Sequence, residues 1–383
     1  MRSVITIALC CVFMITGLYT TAQIDYPAFR NETIINPADS EKLSFNLYNL
    51  SYCNDTEWFG NIPLSGTLFG YELIPEIEYQ VSPKLIIKTG VYLQKEFGRP
   101  NYTTLQPTFT VKYRAKHSSY IIGTLEGNNN HQFIEPIYDY KWMINEQLEN
   151  GFQFKVDTKP YDHDLFINWR VAIHPGDPFK ERFDIGYVGK FNVIDKAKFY
   201  VGVPLQLLYS HAGGQYDADS VPLTSLVNST MGLSTILKLN HKLLKRIVFD
   251  NYYVNYKDIS GAKVQAFKQG NAYLSHLLFD FKNVGIDLRY WNAEGYIAPR
   301  GMALFNSVSE KYPGLVEKHR ELLIVSFIYD REIFKNVNFD FRIIPYKDFI
   351  EHITSGTGLE YSYEMYIKYT FRKTIAKIKN ELP

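Results

Sequence analysis

The sequence predicts an all-β fold, specifically a transmembrane antiparallel β-barrel of about 16 strands, with 14 as the alternative number. Three observations support this prediction. Apolar and polar residues alternate over many segments, aromatic residues make up 16% of the chain, and the connections between segments are alternately short and long. A soluble β-sandwich or lectin-like domain would account for the alternation of residues, but it has no reason to alternate its connection lengths so regularly.

The alternation is clearest near the carboxyl end, from Leu359 to Phe371, where every second residue is apolar or aromatic. A period of two gives the strand one apolar and one polar face. Strands of soluble proteins usually have about 5 or 6 residues, whereas a tilted strand needs about 9 to 11 to cross a bilayer. This segment resembles the closing strand of bacterial outer-membrane β-barrels, which alternates in the same way and ends in Phe. The resemblance implies a bacterial outer-membrane location and insertion by the barrel assembly machinery.

At the amino end, Arg2 precedes an apolar run from Val4 to Leu18, and small residues follow as far as Ala22. This pattern predicts a secretory signal peptide over residues 1–22. We expect a periplasmic N-terminal segment over 23–42, the barrel over 43–371, and a periplasmic tail over 372–383. The tail is either solvated or a short amphipathic helix. Cys53 is then the only cysteine of the mature chain, which excludes an intramolecular disulfide.

Taken in order, the segments with this alternation define 16 strands. They are predicted near 43–53, 66–81, 84–97, 104–115, 118–127, 151–158, 164–173, 182–194, 197–210, 225–239, 246–257, 271–281, 283–293, 320–331, 336–346 and 358–371.

The lengths of the connections predict which end of the barrel is periplasmic and which is external, because outer-membrane barrels have short periplasmic turns and longer external loops. Short connections include 82–83, 195–196 and 282–283, and the longest connections are 128–150 and 293–319. The loop from Ala293 to His319 carries an apolar cluster, Met302 to Val308, with helical spacing. It is expected to form either a plug in the barrel or a self-packed external loop.

If the apolar residues face lipid, the intervening charged residues face the lumen, because a lone charge in hydrocarbon is costly. Either these charges line a constriction, or they neutralise one another across neighbouring strands. The pore-lining candidates are Glu76, Glu78, Lys112, Arg114, Arg170, Asp287, Arg289, Asp340, Arg342 and Glu364.

Catalytic motifs are not evident in the sequence. The nine histidines are scattered, and none lies in a nucleophile elbow or a zinc-peptidase helix motif. Asp162-His163-Asp164 is interpreted as a hydrophilic turn, and Asp217 with Asp219 as an exposed loop rather than a calcium site. We therefore assign no catalytic residue, metal or cofactor. The formal net charge of +1 argues against nucleic acid as a partner.

These observations favour an outer-membrane porin-like channel for the passive passage of small hydrophilic solutes. Its expected partners are the lipid bilayer with its outer-membrane lipids, the barrel assembly machinery and the solutes themselves. An enzyme acting on lipid or peptide at the external rim is the alternative. A structural or adhesion barrel with a blocked lumen is the third possibility, and modest loops argue against adhesion.

Overall fold

The structure is a computed structural model that describes residues 29–214, 216, 220–239, 241–350 and 359–378. The predicted signal peptide, 1–22, and the residues Asp217 and Asp219 lie outside the described residues. Sixteen antiparallel strands form a closed barrel in which each strand pairs with its neighbours in sequence. The predicted fold class and the predicted strand number of sixteen are confirmed.

The strands are β1 (Lys42–Glu57), β2 (Gly66–Ser82), β3 (Leu85–Glu96), β4 (Thr104–Arg114), β5 (Ser118–Thr124), β6 (Asn150–Asp157), β7 (Tyr161–Val171), β8 (Arg182–Asp195), β9 (Phe199–Ala212), β10 (Thr224–Lys238), β11 (Leu244–Asp258), β12 (Gln269–Phe281), β13 (Val284–Glu294), β14 (His319–Phe334), β15 (Val337–Asp348) and β16 (Glu360–Lys377). Short helical turns lie at Pro37–Asp39, Asn128–His131, Trp142–Asn145 and Ala303–Phe305. No helix in the described part of the chain is long and apolar enough to cross a membrane.

Pairing of β1 with β16 closes the barrel, in a register that runs from Lys42 opposite Lys377 to Glu57 opposite Tyr361. The segment Leu359 to Phe371, which resembles a closing strand, lies in β16 and occupies this closing position. β16 continues beyond Phe371 as far as Lys377, so the start of the predicted tail is strand rather than helix. The extension follows from β1, which begins at Lys42 and offers backbone partners to these residues.

The two faces of the wall differ as the alternation predicts. On β16, the outward side chains of Tyr363 and Met365 are 40% and 38% exposed, while Glu364 and Tyr366 point inward and are fully buried. An apolar outer band with polar inward positions is what a lipid-facing barrel requires. We call the end with the long connections the outer end.

The lumen is occupied by three segments of the chain itself, which we call the plug: Phe29–Thr33, the loop 125–149 and the loop 295–318. The Phe29 ring lies 4.6 Å from that of Tyr366 on β16. The two loops contact each other, because Met302 N donates a hydrogen bond to Glu135 O at 2.9 Å. The loop Ala293 to His319 thus folds into the barrel, and its helical part is limited to Ala303–Phe305.

Candidate active site at the outer end of the barrel

The ten charged residues predicted to face the lumen belong to strands of the wall, and ion pairs or hydrogen bonds engage all of them. Five pair with charged residues of the wall itself. Glu76 contacts Lys88 at 2.9 Å, and Glu78 contacts Arg372 at 2.8 Å. Arg114 contacts Asp157 at 3.5 Å, and Arg342 holds Asp340 through two hydrogen bonds of 2.7 and 2.8 Å.

The other five connect the wall with the plug, directly or through a neighbour. Arg289 pairs with Glu135 of the plug and also lies 2.9 Å from Asp287. Glu364 accepts a hydrogen bond from the Tyr140 hydroxyl of the plug. The remaining two pairs are Lys112 with Glu126 at 2.5 Å and Arg170 with Glu146 at 2.9 Å. These charges therefore hold the plug in place.

Two buried histidines of the interior each lie between two carboxylates. His131 of the plug is 2.8 Å from Asp164 through Nδ1 and 2.9 Å from Glu149 through Nε2. His276 of β12 is 3.0 Å from Asp250 and 2.5 Å from Asp287. Neither ring has a nitrogen left to take a proton from a substrate.

The charge state of His131 follows from these neighbours. Burial alone would lower the pKa of His131, but Asp164 and Glu149 outweigh it and raise the pKa to about 9. The ring is therefore an imidazolium at neutral pH, and it cannot serve there as a general base.

A different arrangement lies on the outer face of the wall, at the outer ends of β9 and β10. His211 and Ser225 occupy directly paired positions of the two strands. His211 Nδ1 is 2.8 Å from Ser225 Oγ, and His211 Nε2 is 2.8 Å from the carbonyl oxygen of Gly213. We call His211 and Ser225 the rim dyad.

The contacts of the rim dyad define which nitrogen of the ring carries the proton. A carbonyl oxygen can only accept a hydrogen bond, so His211 Nε2 must donate to Gly213. Nδ1 of the neutral ring is then an acceptor, and Ser225 Oγ donates to it. This is the relation of a nucleophile to its general base, with the base oriented by a third group. The Tyr209 hydroxyl lies 3.1 Å from Ser225 Oγ and 3.2 Å from His211 Nδ1.

Aromatic side chains extend from the rim dyad along the same outer face. The Phe183 ring on β8 is 5.0 Å from that of His211, and Trp169 on β7 stacks on Phe183 at 5.2 Å. Trp169 is 45% exposed. Aromatic rings near the end of a strand are typical of the girdle at a membrane interface. The rim dyad therefore lies beside a surface suited to lipid.

The rim dyad does not form a local sequence motif, because His211 and Ser225 come from two different strands, and it was therefore not predicted from the sequence. The pairing could have been derived from two signals, the period-two facing of each strand and the register of the β9–β10 hairpin. The predicted turn at Asp162-His163-Asp164 is wrong, because β7 already begins at Tyr161. Asp164 instead faces inward and contacts His131.

The described residues bring together no group of three or more His, Cys, Asp or Glu side chains able to hold a metal ion. The sequence prediction assigned no metal or cofactor either, and it remains a prediction.

Comparison with known proteins identifies a family and a fold. The model of a family described as lipid A 3'-O-deacylase-type matches residues 35–378. No curated protein matches the chain. The outer-membrane protein OprD from Pseudomonas aeruginosa is 10% identical, with a TM-score of 0.51, over 92% of this chain and 100% of that one. OmpT, an outer-membrane protein of Vibrio cholerae, is 6% identical, with a TM-score of 0.51, over 86% and 97% of the two chains. The fold is that of bacterial outer-membrane barrels, in agreement with the predicted localisation.

Proposed function

Because the chain belongs to the lipid A 3'-O-deacylase-type family, we propose that it is an outer-membrane esterase that removes an ester-linked acyl chain from lipid A. The observation that carries this proposal is the contact of 2.8 Å between His211 Nδ1 and Ser225 Oγ on the outer face of the wall. An esterase of this kind is the enzyme alternative that the sequence left open, acting on lipid at the external rim.

The proposed reaction uses Ser225 as the nucleophile. Ser225 Oγ attacks the ester carbonyl carbon while His211 Nδ1 takes the hydroxyl proton. The tetrahedral intermediate expels the alkoxide of the sugar, which receives the proton from His211 and leaves as an alcohol. Water then attacks the acyl-serine, again losing its proton to His211, and the fatty acid is released as Ser225 recovers its hydrogen.

The position of the rim dyad suits this substrate. The ester bonds of a lipid lie between its polar headgroup and its hydrocarbon chains, which is the depth of the aromatic girdle. Phe183 and Trp169 offer an apolar surface to an acyl chain at this depth. Burial of Ser225, which is 7% exposed, strengthens the electrostatic interactions within the dyad.

Other histidines of the barrel are poorly placed to act as the general base, which favours His211 of the rim dyad. His131 and His276 each have both ring nitrogens against carboxylates. His163 lies on the outer face but near the short-turn end of β7, where it contacts Tyr187 of β8. His211 is the histidine, among those that the structure describes, that combines an acceptor nitrogen directed at a serine hydroxyl with a place at the outer end.

The experiment is an assay of purified protein, refolded into lipid vesicles that contain lipid A, with released fatty acid measured by mass spectrometry. Ser225→Ala and His211→Asn should each reduce the rate by about 100-fold or more. His163→Asn is the matched control, because it removes an outward histidine with a hydroxyl partner at the opposite end of the wall, and its rate should be unchanged.

A serine-reactive fluorophosphonate gives an independent measurement, since it should label the wild type at Ser225 and leave Ser225→Ala unlabelled. Full hydrolysis by folded Ser225→Ala and His211→Asn would refute the assignment of the rim dyad. Absence of hydrolysis in all variants, together with no labelling of Ser225, would refute the esterase itself.

Passive passage of small hydrophilic solutes, the function favoured by the sequence, is the second candidate. The polar inward wall of 16 strands is the observation that favours it. The plug occupies the lumen in the described residues, so passage would require the plug to move, and for this reason we place it second.

A further inference from the structure

The wall of the barrel is incomplete in its outer half between β4 and β7. β5 has 7 residues and β6 has 8, whereas β4 and β7 have 11 each. β5 pairs with β4 only over Thr110–Arg114. The outer half of β4, Thr104–Phe109, therefore pairs with β3 alone. We call the gap between this half of β4 and Trp169–Val171 of β7 the notch.

The backbone groups that β4 presents to the notch follow from its hydrogen-bond pattern. Ala115 N donates to Ser118 O, so the odd-numbered residues of this strand direct their backbone groups toward β5. Phe109 N accordingly donates to Thr124 Oγ1 at 3.2 Å, where the pairing ends. Beyond this point Leu105 and Pro107 face the notch, and Pro107 has no N–H to offer.

A proline in the free edge argues against occupation by another strand. Strand addition requires N–H and C=O groups from alternate residues of the edge, and Pro107 removes one of the donors. The edge instead presents two carbonyls and the N–H of Leu105. This edge of β4 is therefore poorly suited to pairing with another protein strand.

Glycines lie where the two short strands leave the wall. Gly123 of β5 has φ +97°, and a Cβ there would lie 2.1 Å from Phe109 O. At Gly151 of β6 a Cβ would lie 2.0 Å from Ile167 O. Glycine allows the close approach and the turn that send the loop 125–149 into the lumen. Two such glycines at the base of the notch indicate that the opening is a defined feature of the fold and not the result of frayed strand ends.

The side chains around the notch are largely apolar. Leu105 is 66% exposed and Phe109 52% exposed on the outer face of β4, and Trp169 borders the opposite side. Leu148 of the plug is partly buried and lies at the inner side of the notch, next to Glu149, whose carbonyl binds Leu125 N. Leu148 also lines an internal cavity of about 50 Å³ with Thr108 of β4.

We propose that the notch binds one acyl chain of an outer-leaflet lipid, which enters laterally from the bilayer and contacts Leu148. Lipid is the solvent that surrounds this part of the wall, and the apolar rim matches a hydrocarbon chain. The Leu105 N–H can donate to the ester carbonyl of the same lipid, which satisfies a backbone group that hydrocarbon alone would leave unpaired. The notch shares Trp169 with the apolar surface beside the rim dyad but does not include His211 or Ser225, and binding there is measured without turnover.

The test uses quenching of tryptophan fluorescence by phosphatidylcholine brominated on its acyl chains. Full-length protein carrying Leu148→Trp is refolded into brominated and into plain vesicles, and the fluorescence added over the wild type is compared. Phe109→Trp, on the outer face beside the notch, is the control for contact with lipid. Leu304→Trp, in the interior part of the plug, is the control for no contact.

We expect the brominated lipid to quench the signal at position 148 by nearly the same fraction as at 109, and to leave the signal at 304 almost unchanged. Folding of each variant is checked by heat-modifiable migration in electrophoresis, and Gln147→Trp replaces Leu148→Trp if the latter misfolds. Quenching at 148 no larger than at 304 would overturn the proposal. So would a protein dimer in which a second copy covers the notch and Pro107→Thr strengthens the association.

Discussion

Ser225 Oγ and His211 Nδ1 lie 2.8 Å apart at directly paired positions of β9 and β10. The backbone ladder fixes both Cα atoms, and the Gly213 carbonyl fixes the ring of His211. The contact is therefore held by the wall of the barrel, whereas many catalytic residues depend on mobile loops.

Removing the hydroxyl of Tyr209 should slow ester hydrolysis by about tenfold or more. Its O–H lies 3.1 Å from Ser225 Oγ, where it can donate to the negative charge that develops beside the attacked carbon. The measurement is kcat of Tyr209→Phe on lipid A in vesicles. Tyr187→Phe, which alters the contact with His163 at the other end of the wall, is the matched control. An equal effect of both changes would indicate a general loss of packing.

Raising the pH from 6.5 to above 9 should destabilise the plug. Burial would lower the pKa of His131, but Asp164 and Glu149 raise it to about 9, above the unfolded value of about 6.5. The stabilisation is thus fully present below pH 6.5 and is lost as the pH rises through 9, up to about 3 kcal/mol. The observable is the temperature of unfolding in detergent across this range.

Variants at two histidines identify the responsible group. His131→Gln and His131→Arg should both flatten the pH dependence, because neither side chain titrates between pH 6.5 and 9. His117→Asn, in the turn between β4 and β5, should keep the wild-type slope. A slope that persists in His131→Gln would assign the effect to another group.

Ionic conductance tests whether the plug closes the lumen. We expect the full chain in a planar bilayer to carry no steady current, because the plug fills the interior. Replacing Arg289 and Arg300 with Ala removes the pairs with Glu135, Glu146 and Asp184, and should produce intermittent openings. Deleting 302–308 as well should raise the conductance further. Steady current through the unmodified chain would favour passage of solutes.

The lipid-facing wall should not tolerate charge at its centre. Met365 is on the outer face of β16, where an Arg near the midplane costs about 2–4 kcal/mol. Met365→Arg should lower the folded yield strongly, and Met365→Leu should leave it unchanged. Glu364→Gln should fold, whereas Glu364→Arg should fail because Tyr140 and Tyr366 surround the carboxylate. Normal yield of Met365→Arg would contradict the assignment of this face to lipid.

The sequence predicted the barrel well because strand facing and connection length are local properties. Each of the sixteen predicted strands corresponds to an observed one. The contents of the lumen were harder to predict. The sequence predicts the connection 128–150 as an external loop, but the structure places the loop 125–149 in the lumen, and Phe133, Ile137, Tyr140 and Met143 are too apolar for a solvated loop. That composition was the available signal.

The rim dyad and the ion pairs of the plug depend on long-range geometry. Arg289 and Glu135 are 154 residues apart, and no local period relates them. The sequence predicts that Arg289 faces inward, and the structure confirms it. The sequence does not indicate whether water or a folded loop contacts Arg289 there, because the direction of a side chain does not define its partner.

The place of Phe29 against Tyr366 has a consequence for biogenesis. Tyr366 lies on β16, the last of the sixteen strands in chain order, and its hydroxyl accepts a hydrogen bond from Asn54 Nδ2 of β1, 312 positions away. Contacts of such sequence separation form late. We therefore expect the contacts within the plug, such as that of Met302 with Glu135, to form before the seam between β1 and β16, which joins more distant parts of the chain.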